Sequence, residues 1–462
     1  MIELLRHIVY IIWYIVNTSS MNVQLKTKVL AVFFGDIFFL YLSLFLTLLL
    51  RSGGALPYDI IAIHLLPFTI IFSFWLLIFY ITGLYDVHRM RNSVDFFSYL
   101  FVALLVNIFF AVVFFYIFSS FGIAPKTTLV GFATTFFILE AFWRRAFNRF
   151  VAHRATKLPV LILGDTATTL TLADFIHNNP QLGYALHSHI TTPIEPEKIH
   201  NLLLKNQISV VVIPENLTAH ASLAKTLTDA VVHGVEVHSE IVFYEHIMRQ
   251  IPLSSVTPAW FFDVAFSSPT LYDQFKRGVE LIAACLLQVL IFPIELFIVI
   301  IIFITSPGSV LYSQLRVGRH NKIFRLYKFR TMRIDAEKNG AQWSTGANDP
   351  RATFIGKLLR YTHLDELPQL FNVIRGEVSF VGPRPERPEI IEKIAPEVPF
   401  YHMRHMVSPG ITGWAQINFK KDQTIEDVKT KLQYDLYYIE HRSFLFDIAI
   451  IIRTIKSFFI NT

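Results

Sequence analysis

The chain has 462 residues, of which 53% are hydrophobic, and a formal net charge of +6 at pH 7. Its mean hydropathy of +0.46 exceeds that of most soluble globular domains, which indicates that part of the chain lies in lipid. The mild positive charge suits an anionic membrane surface or substrate, and the lack of zinc-finger, RNP or helix-turn-helix patterns excludes nucleic acid as a partner. The single cysteine, Cys285, excludes a disulfide framework. The length predicts two or three structural units.

The N-terminal segment, residues 1–28, receives no functional assignment. Its apolar run Ile8–Val16 is too short to cross a bilayer, and no small-residue cleavage site follows it. Met21 could equally be the first residue, so the place of residues 1–20 in the mature protein is left open.

Residues 29–145 are predicted to form a membrane bundle of four α-helices. A bilayer core needs about 20 apolar residues per helix, and the last of the four stretches is marginal by this measure. The stretches are Val29–Leu50, Ile60–Leu84, Phe96–Phe118 and Thr127–Trp143. Lysine and arginine are concentrated before the first and after the fourth, which predicts that both ends of the bundle are cytoplasmic.

Three ionisable residues lie inside or near the ends of these spans: Asp36, His64 and Glu140. Charged groups at such positions are costly and often mark transport pathways. A pathway needs several of them to converge, whereas these are single and scattered along the sequence. We therefore expect contacts between helices or interfacial placement.

A Rossmann-like α/β domain is predicted for residues 155–268. Leu158–Gly164, Ile208–Ile213 and Gly234–His238 read as buried strands separated by helical periodicity, which is typical of a parallel sheet. The first turn keeps only Gly164 of the dinucleotide-binding fingerprint, which normally has three glycines. A structural or regulatory role is therefore favoured over nucleotide binding.

The apolar stretch Leu281–Ile304 is long enough to cross the membrane, but Pro293 lies near its middle. Proline removes a backbone donor and breaks or kinks a helix. Basic residues flank the stretch on both sides, which favours a segment that enters and leaves on the cytoplasmic face. We predict a re-entrant helix over 281–304, broken at Pro293. The alternative is an ordinary span with a proline kink.

Five motifs follow in order, and together they resemble the bacterial sugar transferase family. They are Gln314–Gly318, Lys328–Met332, Asp365–Leu370, Val381–Pro385 and Pro409–Gln416. These are the monotopic phosphoglycosyl transferases, and the resemblance covers residues 270–462. The multidomain chain is similar to the large branch of polyprenyl-phosphate hexose-1-phosphate transferases, such as undecaprenyl-phosphate glucose phosphotransferases. An α/β monotopic catalytic domain is accordingly expected at 272–462.

The resemblance implies an activity. Members of the family transfer a sugar-1-phosphate, with glucose-1-phosphate as the default in this branch, from a UDP-sugar to undecaprenyl phosphate and release UMP. The implied location is the cytoplasmic face of the bacterial inner membrane, and the implied role is the first step of exopolysaccharide, capsule or O-antigen assembly. The expected partners are the UDP-sugar, undecaprenyl phosphate and the lipid bilayer. The sugar identity and a homo-oligomeric state are left open.

Two adjacent carboxylates carry the predicted chemistry. By resemblance, Asp365 is the nucleophile that forms an aspartyl phospho-sugar intermediate, and Glu366 together with Asp365 places Mg²⁺. A carboxylate suits covalent catalysis, and Mg²⁺ prefers few carboxylates with phosphate oxygens. The structural alternative is a capping box, because Thr362 precedes Asp365 by three residues, a spacing typical of a helix start.

Five cations are candidates for the substrate phosphates. Arginine grips phosphate oxygens in pairs, and two residues on one face of a strand could meet one anion. The candidates are Lys328, Arg330, Arg351, Arg360 and Arg384. For Lys328 and Arg330 the alternative is contact with anionic lipid headgroups. Asp349 is interpreted as a turn residue.

Weaker predictions concern the C-terminal part of the chain. The glycine-rich segment with Gly410, Thr412, Trp414 and Gln416 is a candidate nucleotide contact, with Trp414 stacking on the base, although structural packing of Trp414 explains the segment equally well. Tyr434–Phe459 is predicted to be an amphipathic helix on the membrane. The alternatives to an enzyme are a transporter, which lacks converging intramembrane charges, and a non-catalytic membrane scaffold or metabolite sensor.

Overall fold

The computed structural model describes most of the chain from Val23 onward. The described residues are 23–54, 57–85, 90, 92–118, 126–154, 157–179, 182–191, 199, 201–203, 208–214, 221–258, 260, 262, 270–306, 308–333, 336, 349–419 and 424–460. Residues 1–22 of the predicted N-terminal segment lie outside this set. The chain forms two compact units, Met1–Phe243 and Tyr244–Thr462.

The first unit begins with four long helices. They are α1 (Val23–Arg51), α2 (Tyr58–Ile81), α3 (Val94–Ile117) and α4 (Lys126–Arg154). Their apolar periodicity brings aromatic side chains together, as where the Trp75 and Phe136 rings meet at 5.6 Å. By length and composition, Thr27–Arg51, Tyr58–Ile81 and Phe96–Ile117 could cross a membrane. The predicted fourth span is helical but is not among the candidates, because Glu140 and Arg144 lower its hydropathy.

A buried ion cluster joins these helices. Arg144 is fully buried, contacts Asp36, and pairs with Glu140 at 2.7 Å. The Tyr85 hydroxyl donates a hydrogen bond to Asp36 at 2.7 Å. Buried charges are tolerated when they are paired and hydrogen-bonded. The predicted contact between helices is confirmed for Asp36, which meets Arg144 of α4. The expectation that these charges are single and scattered is wrong, because Asp36 and Glu140 converge on Arg144 once the helices pack.

A four-stranded parallel sheet follows the bundle, with the strand order β2-β1-β3-β4. The elements are β1 (Leu158–Leu163), α5 (Ala167–Asn178), β2 (Tyr184–Ile190), β3 (Val210–Ile213), α6 (Ala221–Val232), β4 (Glu236–Ser239) and α7 (Glu240–Met248). The predicted parallel α/β region is confirmed, while its assignment to the Rossmann class stays a prediction. Gly164 has a φ of +90°, so the turn itself requires this glycine.

The second unit is built on one long helix, α8 (Thr270–Thr305), which contains Pro293. Leu271–Thr305 is the fourth candidate membrane span. The helix continues through Pro293, so the break predicted at this proline is not found, and Gln288 Nε2 donates a hydrogen bond to Glu295 Oε2 at 2.5 Å across it. The re-entrant path stays a prediction.

Short strands and helices complete this unit. They are β5 (Leu311–Val317), β6 (Ile323–Phe329), α9 (Phe354–Tyr361), α10 (Gln369–Arg375), β7 (Ser379–Val381), α11 (Pro388–Ile394), β8 (Gly410–Thr412), α12 (Trp414–Asn418), α13 (Ile425–His441) and α14 (Phe444–Ile460). Strands β5 and β6 form an antiparallel hairpin, and β7 and β8 form a parallel pair. Ile251 and Val256 belong to the core of this unit, although the sequence had placed them in the α/β domain.

The C-terminal tail differs from its prediction. It forms two helices, α13 and α14, rather than one, and contact of α14 with the membrane stays a prediction. Tyr438 is buried in the core, and its hydroxyl donates to Val381 O at 3.1 Å and lies 2.8 Å from Asp447 Oδ1. The aromatic residues that suggested a membrane surface therefore pack, in α13, against the domain itself.

Candidate active site

Asp365 and Glu366 lie on a single 3₁₀ turn, Leu364–Glu366, between α9 and α10. His363 precedes the turn with a φ of +53°, so the chain reverses direction there. Thr362 ends α9, and its hydroxyl donates to Leu358 O at 2.9 Å. A capping residue would instead be extended and would accept from a downstream N–H. The capping-box alternative for Asp365 is therefore wrong.

Two cations from distant parts of the chain meet at Glu366. Lys328 Nζ, near the end of β6, lies 2.6 Å from Glu366 Oε1. Arg384 Nη2, in the loop after β7, lies 3.5 Å from the same oxygen. Asp365 is only 8% exposed, and no hydrogen bond joins its side chain to another described residue. One carboxylate is thus held by cations, while its neighbour keeps its oxygens available.

The pKa values of the two carboxyl groups also differ, and the cations that contact Glu366 are the cause. Burial raises the pKa of Asp365, with the charge of Lys328 opposing it. Burial would also raise the pKa of Glu366, but the charges of Lys328 and Arg384 outweigh it and lower the pKa to about 2. Glu366 is therefore a fixed anion at neutral pH. The less stabilised Asp365 carboxylate is the more basic of the two and hence the better nucleophile.

Asn372, in α10, positions the strand that carries Lys328. Its carboxamide is fully buried, accepts from Tyr327 N–H at 3.1 Å and donates to Arg325 O at 2.7 Å. The side chain thereby acts as a hydrogen-bonding partner for the free edge of β6. The sequence analysis missed this residue; its signal is a polar side chain two residues after the Asp365–Leu370 motif, within an otherwise apolar helix.

Replacement of Asn372 by Ala is expected to destabilise the protein by about 1–3 kcal/mol, because the buried carboxamide is removed and two partly buried backbone groups of β6 lose their partner. The UMP release that the sequence resemblance leads us to expect should fall by about tenfold or more, because Lys328 follows Tyr327 directly and moves with it. Thermal unfolding and UMP release measure the two effects. The control is Asn179→Ala, which removes a bond to Phe175 O in the first unit and should spare activity. Full activity in Asn372→Ala would contradict the positioning role.

The other predicted cations are distributed differently. Arg360 lies in the last turn of α9, and its charge acts on Asp365. Arg330 lies just beyond β6, and its Nη2 donates to Ser306 O at 2.6 Å, near the end of α8. Arg351 is paired with Asp349 at 2.7 Å, in the turn predicted from Asp349. The structure thus places Lys328, Arg384 and Arg360 around the two carboxylates, whereas Arg330 and Arg351 contact other groups.

The predicted nucleotide contacts mostly serve packing. Trp414 is 3% exposed, its Nε1 donates to Arg249 O at 3.2 Å, and its ring lies 4.9 Å from that of Phe446. A ring enclosed in this way offers no face to a base, so the packing alternative applies. A Cβ on Gly410 would lie 2.1 Å from the backbone nitrogen of Gly382, so this glycine lets two backbones, rather than a ligand, approach closely.

The two polar residues of the same segment also have partners within the protein. The Thr412 hydroxyl lies 2.6 Å from that of Thr454. Gln416 Nε2 donates to Ile411 O at 3.1 Å. The sequence could not distinguish a nucleotide-binding loop from structural packing in this segment. Glycine and tryptophan occur both in loops that bind ligands and where two backbones cross closely.

Comparison with known proteins places the site in a family context. Residues 271–461 match the family model described as bacterial sugar transferase. The chain is 41% identical over 187 residues to a UDP-N-acetylgalactosamine-undecaprenyl-phosphate N-acetylgalactosaminephosphotransferase of Aeromonas hydrophila, covering 40% of this chain and 44% of the relative. It is 30% identical over 330 residues to the UDP-glucose:undecaprenyl-phosphate glucose-1-phosphate transferase of Escherichia coli K12, covering 67% of this chain and 69% of the relative.

A third relative is the undecaprenyl-phosphate galactose phosphotransferase of Salmonella typhimurium. It is 35% identical over 196 residues, which cover 39% of this chain and 40% of the relative. The chain thus spans less than half the length of the first and third of these relatives. Asp365, Glu366, Lys328 and Arg384 all lie within the segment that matches the family model.

Proposed function

The chain belongs to the bacterial sugar transferase family, and on this premise we propose that it transfers a sugar-1-phosphate from a UDP-sugar to undecaprenyl phosphate. The observation that carries the proposal is the arrangement around Glu366, where Lys328 and Arg384 meet one carboxylate beside a buried second one. Cations near two carboxylates suit a dianionic diphosphate that is attacked by an anion. Neither a scaffold nor a sensor requires this arrangement.

The reaction proceeds in two displacements at phosphorus. An Asp365 oxygen attacks the phosphorus that bears the sugar, and the bond from that phosphorus to the bridging oxygen breaks, so that UMP leaves with the oxygen. The product is an aspartyl phospho-sugar. An oxygen of undecaprenyl phosphate then attacks the same phosphorus, and Asp365 leaves as a carboxylate. Lys328 and Arg384 bind the phosphate oxygens, and charge neutralisation of this kind is a large share of catalysis in phosphoryl transfer.

Glu366 and Asp365 would hold Mg²⁺. The donor set fits, because Glu366 is ionised at neutral pH and has a second carboxylate oxygen besides the one that Lys328 contacts, and Asp365 adds a neighbouring carboxylate. When bound, Mg²⁺ supplies positive charge to the diphosphate oxygens.

Helix α8 supports attachment to one face of the membrane. At its N-terminal end Arg277 Nη2 donates to Ile374 O at 2.7 Å, and at its C-terminal end Ser306 O accepts from Arg330 at 2.6 Å. Between them, Ala284 and Ile298 pack in cores of the same unit. The opposite face exposes large apolar side chains to the surroundings, among them Leu286, Val289, Phe297 and Phe303.

A helix whose two ends both contact one domain suits a re-entrant path better than a full crossing. The basic residues on both flanks favour the cytoplasmic face of the bacterial inner membrane. The turn with the two carboxylates is close to α8, because Leu364 and Leu367 pack against the core that contains Ile298 and Ile302. This supports access of the site to a phosphate in the headgroup region.

We propose glucose as the sugar, because the relative aligned over 67% of this chain acts, by its name, on UDP-glucose. A further relative from Rhizobium leguminosarum is called an exopolysaccharide production protein, which supports a role at the start of polysaccharide assembly.

The purified membrane enzyme is expected to release UMP when supplied with undecaprenyl phosphate, Mg²⁺ and UDP-glucose, and EDTA should suppress the release until Mg²⁺ is restored. UDP-galactose, UDP-N-acetylglucosamine and UDP-N-acetylgalactosamine form the comparison panel. Release with another sugar alone would replace glucose but keep the reaction. No UMP with any sugar would count against the proposed function.

A further inference from the structure

We propose that Arg404 is a positioning residue that holds the loop Gly382–Glu386 and thereby sets the place of Arg384. This inference deepens the proposed function and rests on it for the role of Arg384. Arg404 lies outside the five motifs that identified the catalytic domain, on a 3₁₀ helix spanning Tyr401–Met406.

The loop needs an unusual form of support. Pro383 and Pro385 have no N–H, so the chain around Arg384 has few donors and must be held through its carbonyl oxygens. Four consecutive carbonyls are held in this way, two by backbone N–H groups and two by arginine side chains. Their donors, in order from Pro383 to Glu386, are Gly410 N at 2.9 Å, Arg404 Nη2 at 3.0 Å, Arg316 Nη1 at 2.8 Å and Val317 N at 3.0 Å.

Arg404 itself is held rigidly. It is 7% exposed, its Nη1 donates to the Tyr401 hydroxyl at 2.7 Å, and its Nη2 lies 2.8 Å from Asp435, which is 1% exposed. Burial disfavours the charge, but Tyr401 and Asp435 raise the pKa of Arg404 above its usual range, so the guanidinium stays charged. The guanidinium group of Arg404 therefore has one defined orientation, in which Nη2 points at the carbonyl oxygen of Arg384.

A buried ion pair is weak evidence for stability, because desolvation offsets much of the attraction. Positioning of the loop explains the buried Arg404–Asp435 pair better than a contribution to stability does. The Arg384 side chain reaches Glu366 Oε1 at 3.5 Å, near the limit of a useful contact. A shift of about 1 Å in the loop would remove it, and displacements of that size can cost about 10²-fold in rate.

The test compares Arg404→Met, Arg384→Ala and the double variant. The readouts are the rate of UMP release and loop exchange, which is the hydrogen exchange of three amides that hold the loop: Gly382 N–H, bonded to Thr412 O, and the Gly410 and Val317 N–H groups, bonded to Pro383 O and Glu386 O. Arg404→Met should lower kcat by about 10- to 100-fold. The double variant should be no slower than Arg384→Ala alone, because both substitutions remove the same contribution, that of the correctly placed Arg384 side chain. Loop exchange at these three amides should rise in Arg404→Met, because displacement of the loop weakens their hydrogen bonds. Losses that multiply in the double variant, or an unchanged exchange rate, would overturn the proposal.

Arg442→Met is the matched control. Arg442 is also buried, pairs with Asp273 at 3.2 Å and donates to a carbonyl, that of Ile439. Among the described residues, its bonds do not include one to the loop. It is expected to leave loop exchange unchanged and its rate loss is expected to multiply with that of Arg384→Ala. If Arg404→Met does not fold, Arg404→Lys and Tyr401→Phe, which each change fewer contacts, take its place with the same expectations.

Hydrogen exchange also separates the two hypotheses. Because it needs no substrate, faster loop exchange in Arg404→Met supports the positioning contact even if the wild type releases no UMP, which would count against the proposed function only. UMP release by the wild type together with unchanged loop exchange in the variant would count against the role of Arg404 only.

Discussion

Asp365→Asn is expected to abolish UMP release, with a loss of about 10⁴-fold or more, because removal of a covalent nucleophile leaves only binding and electrostatic effects. The amide has nearly the shape of the carboxylate, and Asp365 has no side-chain hydrogen bond to a described residue, so the fold should tolerate the change. UMP release with the preferred UDP-sugar measures the rate. Intact-protein mass spectrometry without undecaprenyl phosphate should detect a sugar-phosphate adduct on the wild type alone.

Asp427→Asn provides the control. Asp427 is a half-buried aspartate in the capping box of α13, and its replacement should affect helix stability slightly and activity not at all. Turnover of Asp365→Asn near the wild-type rate would remove Asp365 as the nucleophile. A sugar-phosphate adduct that persists in Asp365→Asn would indicate that another side chain is the nucleophile.

Lys328→Met is expected to lower UMP release by about 10²- to 10³-fold, because the variant loses a cation from the proposed diphosphate site. The same change should move the acid limb of the pH–rate profile upward. Lys328 lowers the pKa of both Glu366 and Asp365 against the effect of burial. Without it, burial is less opposed, both carboxyl pKa values rise, and activity is lost at a higher pH on acidification.

Lys328→Met is also expected to change the acid stability of the protein. Because the pKa of Glu366 is lowered to about 2, its ionisation contributes stability above the ordinary carboxyl pKa, and this contribution is lost as the pH falls towards about 2. In Lys328→Met the loss should begin at a higher pH, which acid unfolding curves measure. Lys322→Met, at an exposed lysine in the β5–β6 turn, is the control. An acid limb that coincides with that of the wild type would show that Lys328 does not set these pKa values.

Local sequence features predicted much of the architecture. Apolar runs of membrane length gave α1, α2, α3 and α8, and alternating strands and helices gave the parallel sheet. These predictions hold because hydropathy, periodicity and turn chemistry act over neighbouring residues. The five motifs likewise identified the family from residue types and their order alone.

The sequence was less informative wherever one composition serves two purposes. Trp414 and its glycines fitted a base-stacking loop as well as a backbone crossing, and the crossing is what the fold contains. The aromatic residues of Tyr434–Ile439 suggested a membrane surface, but in α13 they face the core. Which face of a helix or strand is buried depends on the segments that pack against it, and the local sequence does not identify these segments.

Tertiary structure alone decided which charges meet. Lys328 and Glu366 are 38 residues apart, and Arg404 reaches the carbonyl of Arg384 across 20 residues. Glu366 is paired with cations, and Asp365 has no side-chain hydrogen bond to a described residue, because β6 and the loop after β7 converge on one side of the 3₁₀ turn. The sequence by itself thus determined the elements and the residue types of the site. The pairing of these residues depended on the packing of distant segments, since the energy of a charge contact depends on distance in space and burial rather than on separation along the chain.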